Sequence, residues 1–164
     1  MALHSHTIPV PSTTYDFTIS CELNPKISVG QVPGGHRNWI SFTGGTFTSA
    51  WATGRILPGG QDSQVVLPDL STRIETNYII QLDNQPEDEA VYLVLKTSGW
   101  RTGPRSVLEA LADPEKAALV DPRDYFFRLY IVMECGNARY RDVNTAMWIG
   151  SGIREGARGM CISI

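Results

Sequence analysis

The sequence predicts an all-β protein, a single antiparallel β-barrel with a short helical insertion at about residues 106–120. Three observations predict this fold class. Short apolar or β-branched stretches bounded by glycine or proline recur along most of the 164 residues. The glycine pairs Gly44-Gly45 and Gly59-Gly60 lie between such stretches, where a curled sheet needs tight bends or bulges. The 15 glycines and 10 prolines fit many turns better than long helices.

The chain divides into a flexible N-terminal arm, residues 1–14, and one barrel domain, residues 15–164. The arm is rich in proline, serine and threonine, and the remaining length suits one domain with a real core. Pro25 and the glycine-containing residues 30–35 predict a loop after the first strand. The expected strands, in chain order, are Tyr15–Leu23, Trp39–Phe42, Thr46–Trp51, Gly54–Leu57, Gln64–Leu67, Arg73–Leu82, Ala90–Thr97, Asp124–Cys135, Val143–Gly150 and Gly159–Ile164.

The helical insertion is predicted from two helix-start signals. Ser106 and Glu109 have the spacing of a capping box, and Asp113-Pro114 fits an N-cap followed by proline at the first helical position. Residues 106–120 are therefore expected to form one or two short helices. They could serve as a plug or buttress over an open barrel end, as a contact between subunits, or as a lid over a pocket.

Composition limits the partners and the compartment. The net charge of −3 and the pI near 5.6 argue against nucleic acid and against an anionic membrane surface as partners. No apolar run approaches the ~18 residues that cross a bilayer, and the first residues lack the features of a signal peptide. Three widely separated cysteines are typical of reduced thiols that pack in a cytoplasmic protein.

Several kinds of chemistry are disfavoured by the motifs. His4 and His6 lie in the arm and His36 in a loop, so a three-histidine metal site is not expected. The chain has no GxSxG nucleophile elbow, no P-loop and no GxGxxG motif that opens a helix. We therefore expect no metal and no cofactor, which leaves redox-neutral acid–base chemistry or simple binding.

The alternation of side chains along the predicted strands supplies the first candidate site residues. Residues i and i+2 of a strand share a face, so each face combines polar groups with aromatic rings near one end. Two carboxylates, two arginines and an amide then become candidates for the lining of an amphipathic cavity. They are Asp62, Glu75, Arg37, Arg128 and Asn144. A solvated outer face is the alternative for each one, and Asp62 could equally cap the preceding turn.

A set of motifs in one order resembles the small β-barrel family known as domain of unknown function 3237. The motifs are Gly35-x-Arg37, the Thr43–Phe47 turn, Leu57-Pro58-Gly59-Gly60-x-Asp62, Tyr78, Gly99-x-Arg101, Asp121-Pro122-x-x-Tyr125-Phe126-Phe127-Arg128, Asn144 and Gly150-x-Gly152-x-Arg154. The resemblance covers about residues 15–164. It implies a single antiparallel barrel that often self-associates. It also implies a link to fungal relatives that act as cofactor-free cyclases or isomerases in polyketide or meroterpenoid pathways.

On this basis we predict a cofactor-independent cyclase or isomerase of fungal secondary metabolism. The candidate reaction adds a phenol or alcohol oxygen across an alkene within one molecule. Glu75 or Asp62 would be the acid, because a buried carboxyl group can stay protonated near neutral pH. Arg37 or Arg128 would hold a phenolate or carbonyl oxygen. Asn144 would orient the attacking oxygen.

Aromatic rings complete the predicted site, because their faces can stabilise a developing cation. The substrate-binding candidates are Trp39, Trp51, Tyr78, Tyr125, Phe127 and Arg101. The expected partners are a small hydrophobic or aromatic metabolite and further copies of the chain. Two other functions remain open: a non-catalytic carrier of a hydrophobic small molecule, and a structural oligomer in which Arg128 and Glu75 form a buried ion pair.

Overall fold

A computed structural model of the protein describes residues 9–86, 89–155 and 159–164. Within these residues, ten strands pair antiparallel in one sheet that closes on itself, which confirms the predicted barrel. The strands are β1 Phe17–Leu23, β2 Ile27–Val32, β3 Gly35–Ser49, β4 Thr53–Ile56, β5 Gln61–Val66, β6 Thr72–Leu82, β7 Tyr92–Thr102, β8 Phe126–Cys135, β9 Trp148–Glu155 and β10 Gly159–Ser163. The helical elements are α1 Arg105–Ala112 and the 3-10 turns Ala117–Leu119, Pro122–Asp124 and Ala138–Asn144.

Closure of the barrel depends on the long strand β3. Its first half pairs with β2 and β5, and its second half pairs with β1 and β4. The strand bends at Gly45, which has a φ of +140° and whose added Cβ would lie 2.1 Å from the carbonyl oxygen of Ser20. Only glycine fits this bend, because any side chain would meet the backbone of β1.

The two ends of the barrel differ, and we name them by what lies there. At the α1 end, β5 ends at Val66, β6 begins at Thr72 and β7 ends at Thr102, which is followed by α1. At the far end, β1 begins at Phe17 and β9 begins at Trp148.

The interior is filled mainly by alternate apolar residues of the long strands. On β6 the inward side chains are Thr72, Ile74, Thr76, Tyr78, Ile80 and Leu82, and on β8 they are Phe127, Leu129, Ile131, Met133 and Cys135. Two leucines of α1, Leu108 and Leu111, pack into the same core. The helical insertion therefore packs against the α1 end of the barrel, an arrangement that both the buttress and the lid interpretations require. Among the described residues, no helix is long and apolar enough to cross a membrane.

The helix start differs from the prediction. Helix α1 begins at Arg105 after Pro104, and no side chain caps it. Ser106 lies inside the first turn, while Glu109 accepts a hydrogen bond from Arg105 at 3.0 Å instead of closing a capping box. Asp113 accepts a hydrogen bond from the Glu115 backbone N–H at 3.0 Å in a turn. The insertion was predicted correctly and its capping was not.

Three predicted segment boundaries are wrong for related reasons. Residues 25–35 include strand β2, and Trp39–Phe42 and Thr46–Trp51 belong to the single strand β3 and the residues just after it. Val143–Gly150 combines the end of a 3-10 turn with the start of β9. In each place a glycine predicts the end of a strand, but the strand continues through or beside that glycine. Of the predicted arm, residues 9–14 are exposed and form neither helix nor strand, and residues 1–8 lie outside the described residues.

Candidate functional site

Asp62 lies inside the barrel, 1% exposed, near the middle of the wall. The turn at residues 57–60 separates β4 from β5 and delivers Asp62 opposite Ile40 of β3 and Thr76 of β6. Its Oδ2 accepts a hydrogen bond of 2.6 Å from Nε2 of Gln64, the next inward residue of β5. Its Oδ1 is buried and has no hydrogen-bond partner among the described residues. One carboxyl oxygen therefore lacks a hydrogen-bond partner within the described part of the protein.

The environment of Asp62 makes it a weak acid. Burial raises the pKa of this carboxyl group from its ordinary 3.8 to about 6, because the charged form loses its hydration. The hydrogen bond from Gln64 and the positive charges of Arg101 and Arg154 act in the opposite direction and only partly offset burial. A carboxyl group with this pKa can hold or release a proton close to neutral pH.

Arg101 and Arg154 supply positive charge to the same part of the interior. Arg101 of β7 lies opposite Thr72 of β6 and donates a 3.3 Å hydrogen bond to the hydroxyl group of Thr72. The Nε of Arg101 is buried without a hydrogen-bond partner in the described part of the chain. Burial lowers the pKa of Arg101, and repulsion from Arg154 adds to the effect. Burial also lowers the pKa of Arg154, while Asp62 opposes this. An anionic oxygen would be attracted here.

Aromatic side chains surround this polar group. Tyr125 is buried, and its hydroxyl oxygen accepts a 3.3 Å hydrogen bond from the Arg154 backbone N–H. Tyr78 stacks on Phe42 with ring centroids 4.7 Å apart, and its buried hydroxyl group lies beside Thr76 without a well-aligned hydrogen bond among the described residues. Phe127 lies against β9 at Gly152, where an added Cβ would come within 2.6 Å of the ring.

Cys21 packs inside the barrel, as expected for a structural thiol. Burial raises the pKa of Cys21 to about 12, and the negative charge of Asp62 adds to this. The thiol therefore stays protonated near neutral pH and is a poor nucleophile. Among the residues that the structure describes, no three His, Cys, Asp or Glu side chains come together as a metal-binding group.

The structure brings Asp62, Arg101, Tyr78, Tyr125 and Phe127 together inside the barrel. It does not bring the other predicted acid to them. Glu75 is exposed on the outer face of β6, 3.9 Å from Arg73, because its neighbours Ile74 and Thr76 point inward. The expectation that Glu75 could be a buried acid is therefore corrected.

The two predicted oxygen-binding arginines also lie outside. Arg128 is exposed on β8, where its guanidinium lies 5.4 Å from the centroid of the Phe126 ring. Arg37 is half-buried on the outer face and donates a 2.5 Å hydrogen bond to Ser63. The apolar alternate residues of both strands take the inward positions, so these charges face outward. The buried Arg128–Glu75 pair of the structural-oligomer hypothesis does not form, since both side chains are exposed.

Asn144, Trp39 and Trp51 have other surroundings. The side-chain amide of Asn144 accepts from the Cys135 N–H at 2.7 Å and donates to the Cys135 carbonyl at 2.9 Å, so it completes the end of β8. Trp39 is 41% exposed on the outer face of β3. Trp51 is half-buried at the far end and lines a cleft of about 470 Å³. The residues of this cleft are Asp16, Trp51, Arg139, Tyr140, Asp142, Val143, Ala146 and Trp148.

Sequence reasoning missed two polar residues near Asp62 and one in the cleft at the far end. Gln64 shares the face of Asp62 at spacing i+2, and that alternation could have identified it. Arg154 ends the Gly150-x-Gly152-x-Arg154 motif, which marks the position but does not indicate its role. Asp16 precedes β1 and has no local signal, because its partners Trp51 and Trp148 are distant in the chain.

Comparison with known proteins agrees with this architecture. A family model described as "Protein of unknown function (DUF3237)" matches residues 11–164. A UPF0311 protein of Rhodopseudomonas palustris is 31% identical over 150 residues, which cover 92% of this chain and 93% of the relative.

Two solved structures extend the comparison. The crystal structure of a conserved protein of unknown function from Rhodopseudomonas palustris has a TM-score of 0.84 at 28% identity and covers 94% of this chain and 96% of that chain. The crystal structure of an enzyme from Penicillium herquei has the same fold at 14% identity, with a TM-score of 0.65 and coverage of 97% and 98%. The chain therefore belongs to the DUF3237 family of proteins of unknown function, as its motifs predicted.

Proposed function

We propose that this protein is a cofactor-independent enzyme that catalyses a redox-neutral cyclisation or isomerisation of a small metabolite, with Asp62 as general acid. The observation that carries the proposal is the buried carboxyl group with one unoccupied oxygen and a pKa of about 6. A strongly perturbed carboxyl group beside a specific positive charge is typical of functional sites.

Unsatisfied buried atoms support the presence of a ligand. Asp62 Oδ1 and Arg101 Nε are both buried without a hydrogen-bond partner among the described residues. Each such group costs about 1–3 kcal/mol when it is left unpaired. A substrate with a hydroxyl or carbonyl oxygen would satisfy these groups and recover part of that cost.

The proposed reaction is the intramolecular addition of a phenol or alcohol oxygen to an alkene. Protonated Asp62 gives its proton from Oδ1 to one alkene carbon, and the other carbon becomes electron-poor. The substrate oxygen bonds to that carbon and loses its own proton to the carboxylate, which restores Asp62. Proton transfer of this kind contributes about 10²–10⁴-fold, and folding of the bound substrate supplies further acceleration.

The oxygen-binding role that the sequence suggested for two outer arginines is assigned here to two inner arginines. Arg101 and Arg154 replace Arg37 and Arg128 as the groups that hold the substrate oxygen. Their charges stabilise the negative charge that develops on the substrate oxygen as its proton passes to the Asp62 carboxylate. The rings of Tyr125 and Phe127 offer faces to the developing cation.

Access to Asp62 requires movement, because the carboxyl group is 1% exposed. The element most suited to move is α1, so we include a lid role for it in the proposal. Opening would withdraw Leu108 and Leu111 from the core and break the 3.3 Å hydrogen bond from Arg105 to the Pro68 carbonyl. Exposure of two leucines costs about 3–6 kcal/mol, which permits a small open population.

The neighbour from Penicillium herquei is described as an enzyme, so this barrel fold is compatible with catalysis. The proposal can be tested with ortho-allyl and ortho-prenyl phenols as substrates, followed by chiral chromatography. We expect an enantiomeric excess with the native protein and its loss in Asp62→Asn. Glu75→Gln is the matched control, because that acid faces solvent.

Three results would contradict the proposal. Full activity in Asp62→Asn would remove the general acid. Equal loss in Glu75→Gln would show that the effect is not specific to the interior. Saturable binding of the phenols without turnover by the native protein would instead favour the carrier function.

A further inference from the structure

We infer that the cleft at the far end of the barrel is a second small-molecule site, selective for an organic cation of the quaternary ammonium type. The cleft lies at the opposite end from α1 and measures about 470 Å³. This volume suits a small ligand. Three features of its lining point to the charge and shape of that ligand.

The first feature is the carboxylate of Asp16, which holds two indole rings. Its Oδ1 accepts a 2.8 Å hydrogen bond from Nε1 of Trp51, and its Oδ2 accepts a 2.7 Å hydrogen bond from Nε1 of Trp148. Asp16 forms no ion pair with a lysine or arginine in the part of the chain that the structure describes. The half-buried carboxylate of Asp16 therefore has two indole N–H donors but no lysine or arginine within ion-pair distance among the described residues.

The second feature is the aromatic lining. Trp51, Trp148 and Tyr140 all contribute to the cleft, and the rings of Trp51 and Tyr140 lie 5.9 Å apart. Hydrogen bonding to Asp16 and packing against Phe47 and Phe17 hold the two indoles in place. Aromatic faces attract cations within about 6 Å, and cages of aromatic rings recognise quaternary ammonium groups.

The third feature is the position of Arg139, whose guanidinium lies over the ring of Tyr140 in the cleft. Its Cζ is 5.8 Å from the centroid of Tyr140. Arg139 is exposed and lies at the rim, so it can leave the ring without disturbing the core. The charged lining residues are Asp16, Asp142 and Arg139, and Asp142 also lies 3.8 Å from Arg141, which leaves Asp16 as the lining acid without an ion pair among the described residues.

The preference for a quaternary cation over a primary amine follows from the hydrogen bonds of Asp16. Both carboxyl oxygens already accept hydrogen bonds from indole N–H groups. The site therefore attracts a ligand by its negative charge and its aromatic faces, and it has few free hydrogen-bond acceptors. A weakly hydrated cation without N–H donors loses little hydration free energy when it enters such a site. A strongly hydrated ammonium or metal ion loses more.

The test uses choline and its neutral isostere 3,3-dimethyl-1-butanol as probes, titrated by calorimetry against the whole protein. We expect choline to bind about three- to thirtyfold more tightly than the isostere. Asp16→Asn should abolish most of this preference, while an amide oxygen can still accept from an indole. Glu22→Gln, an exposed acid on β1, is the matched control and should change nothing.

Arg139→Gln gives the sharper result, because its expected effect has the opposite sign. Removal of the competing positive charge should tighten choline binding severalfold at low salt, and added salt should reduce the gain. Thermal unfolding of each variant checks that it is folded. Equal binding of choline and the isostere, no saturable binding of either, or weaker binding in Arg139→Gln would overturn the inference. Asp62→Asn should leave choline binding unchanged, so failure here is distinct from failure of the proposed catalysis.

Discussion

Asp62 and Arg101 lie in the same interior of the barrel, and each has one buried polar atom without a hydrogen-bond partner among the described residues. Their opposite charges act on one another: Arg101 lowers the pKa of Asp62, and Asp62 raises that of Arg101. In both cases burial has the larger effect. The fold thus holds both groups under conditions that disfavour their charges, which a purely structural core would not require.

The pH dependence of stability should reveal the buried Asp62. Its pKa is about 6 in the folded protein and 3.8 in the unfolded chain, so the folded state holds the proton more tightly. The free energy of unfolding should therefore fall by about 3 kcal/mol as pH rises from 4 to 6 and beyond. Asp62→Asn should remove this decrease and melt higher than the native protein at pH 7. Urea unfolding at several pH values measures it, and an unchanged slope in Asp62→Asn would contradict it.

The rate of the proposed reaction should depend on the same proton. The general acid works in its protonated form, so turnover should be highest below pH 6 and decline as pH rises through about 6. We expect a profile with one descending limb in kcat/KM for the native protein. A profile that stays flat from pH 5 to 8 would mean that Asp62 does not donate the proton.

Arg101 should be more sensitive to substitution than Arg128. Arg101→Lys keeps a positive charge and loses the guanidinium Nε that is buried without a partner. We expect kcat/KM to fall by about 10²-fold, in the range found for loss of an oxyanion donor. Arg128→Lys is the control, because Arg128 lies on the outer face over Phe126. Similar losses in both variants would argue against a specific role for Arg101.

Alternation along the strands sorted the residues into the correct two faces, but it could not decide which face points inward. For β6 the answer follows from burial of Ile74, Tyr78 and Ile80, which leaves Glu75 outside. Asp62 could be predicted because the Pro-Gly-Gly turn fixes its position. The burial of Asp62 could not be predicted, because a carboxyl group is ordinarily exposed. Here its burial depends on contacts with Gln64 and on the nearby arginines.

Glycine has two structural roles in this barrel, a bend within a strand and space for a neighbouring side chain, and the local sequence does not distinguish them. Gly45 marks a bend within β3, and Gly152 leaves space for Phe127 within β9. Both need knowledge of a neighbouring strand. The far-end cleft was beyond local reasoning for the same reason, because Asp16 meets Trp148 only when the barrel closes.

Gly45→Ala should strongly destabilise the barrel. Gly45 combines a φ of +140° with an added Cβ that would lie 2.1 Å from the Ser20 carbonyl oxygen. We expect a loss of more than about 3 kcal/mol in the free energy of unfolding. Gly59→Ala is the matched control, because Gly59 has a φ of +106° but no atom within 4 Å of the added Cβ. It should cost only about 1–2 kcal/mol. Equal losses in urea unfolding would show that the close approach to β1 is not decisive.

The outer face of β8 and its neighbours should mediate self-association. Trp100, Tyr130, Val132 and Ile149 are all more than two-fifths exposed, and Tyr130 lies directly opposite Ile149. A group of exposed apolar side chains of this kind is typical of an interface, and Tyr130→Glu should break it by placing a charge beside Ile149. Light scattering should give a multiple of 18.1 kDa for the native protein and a smaller mass for Tyr130→Glu. Val29→Glu, at an exposed apolar position on β2, should keep the native mass. A native mass of one chain, or dissociation by Val29→Glu alone, would contradict this assignment.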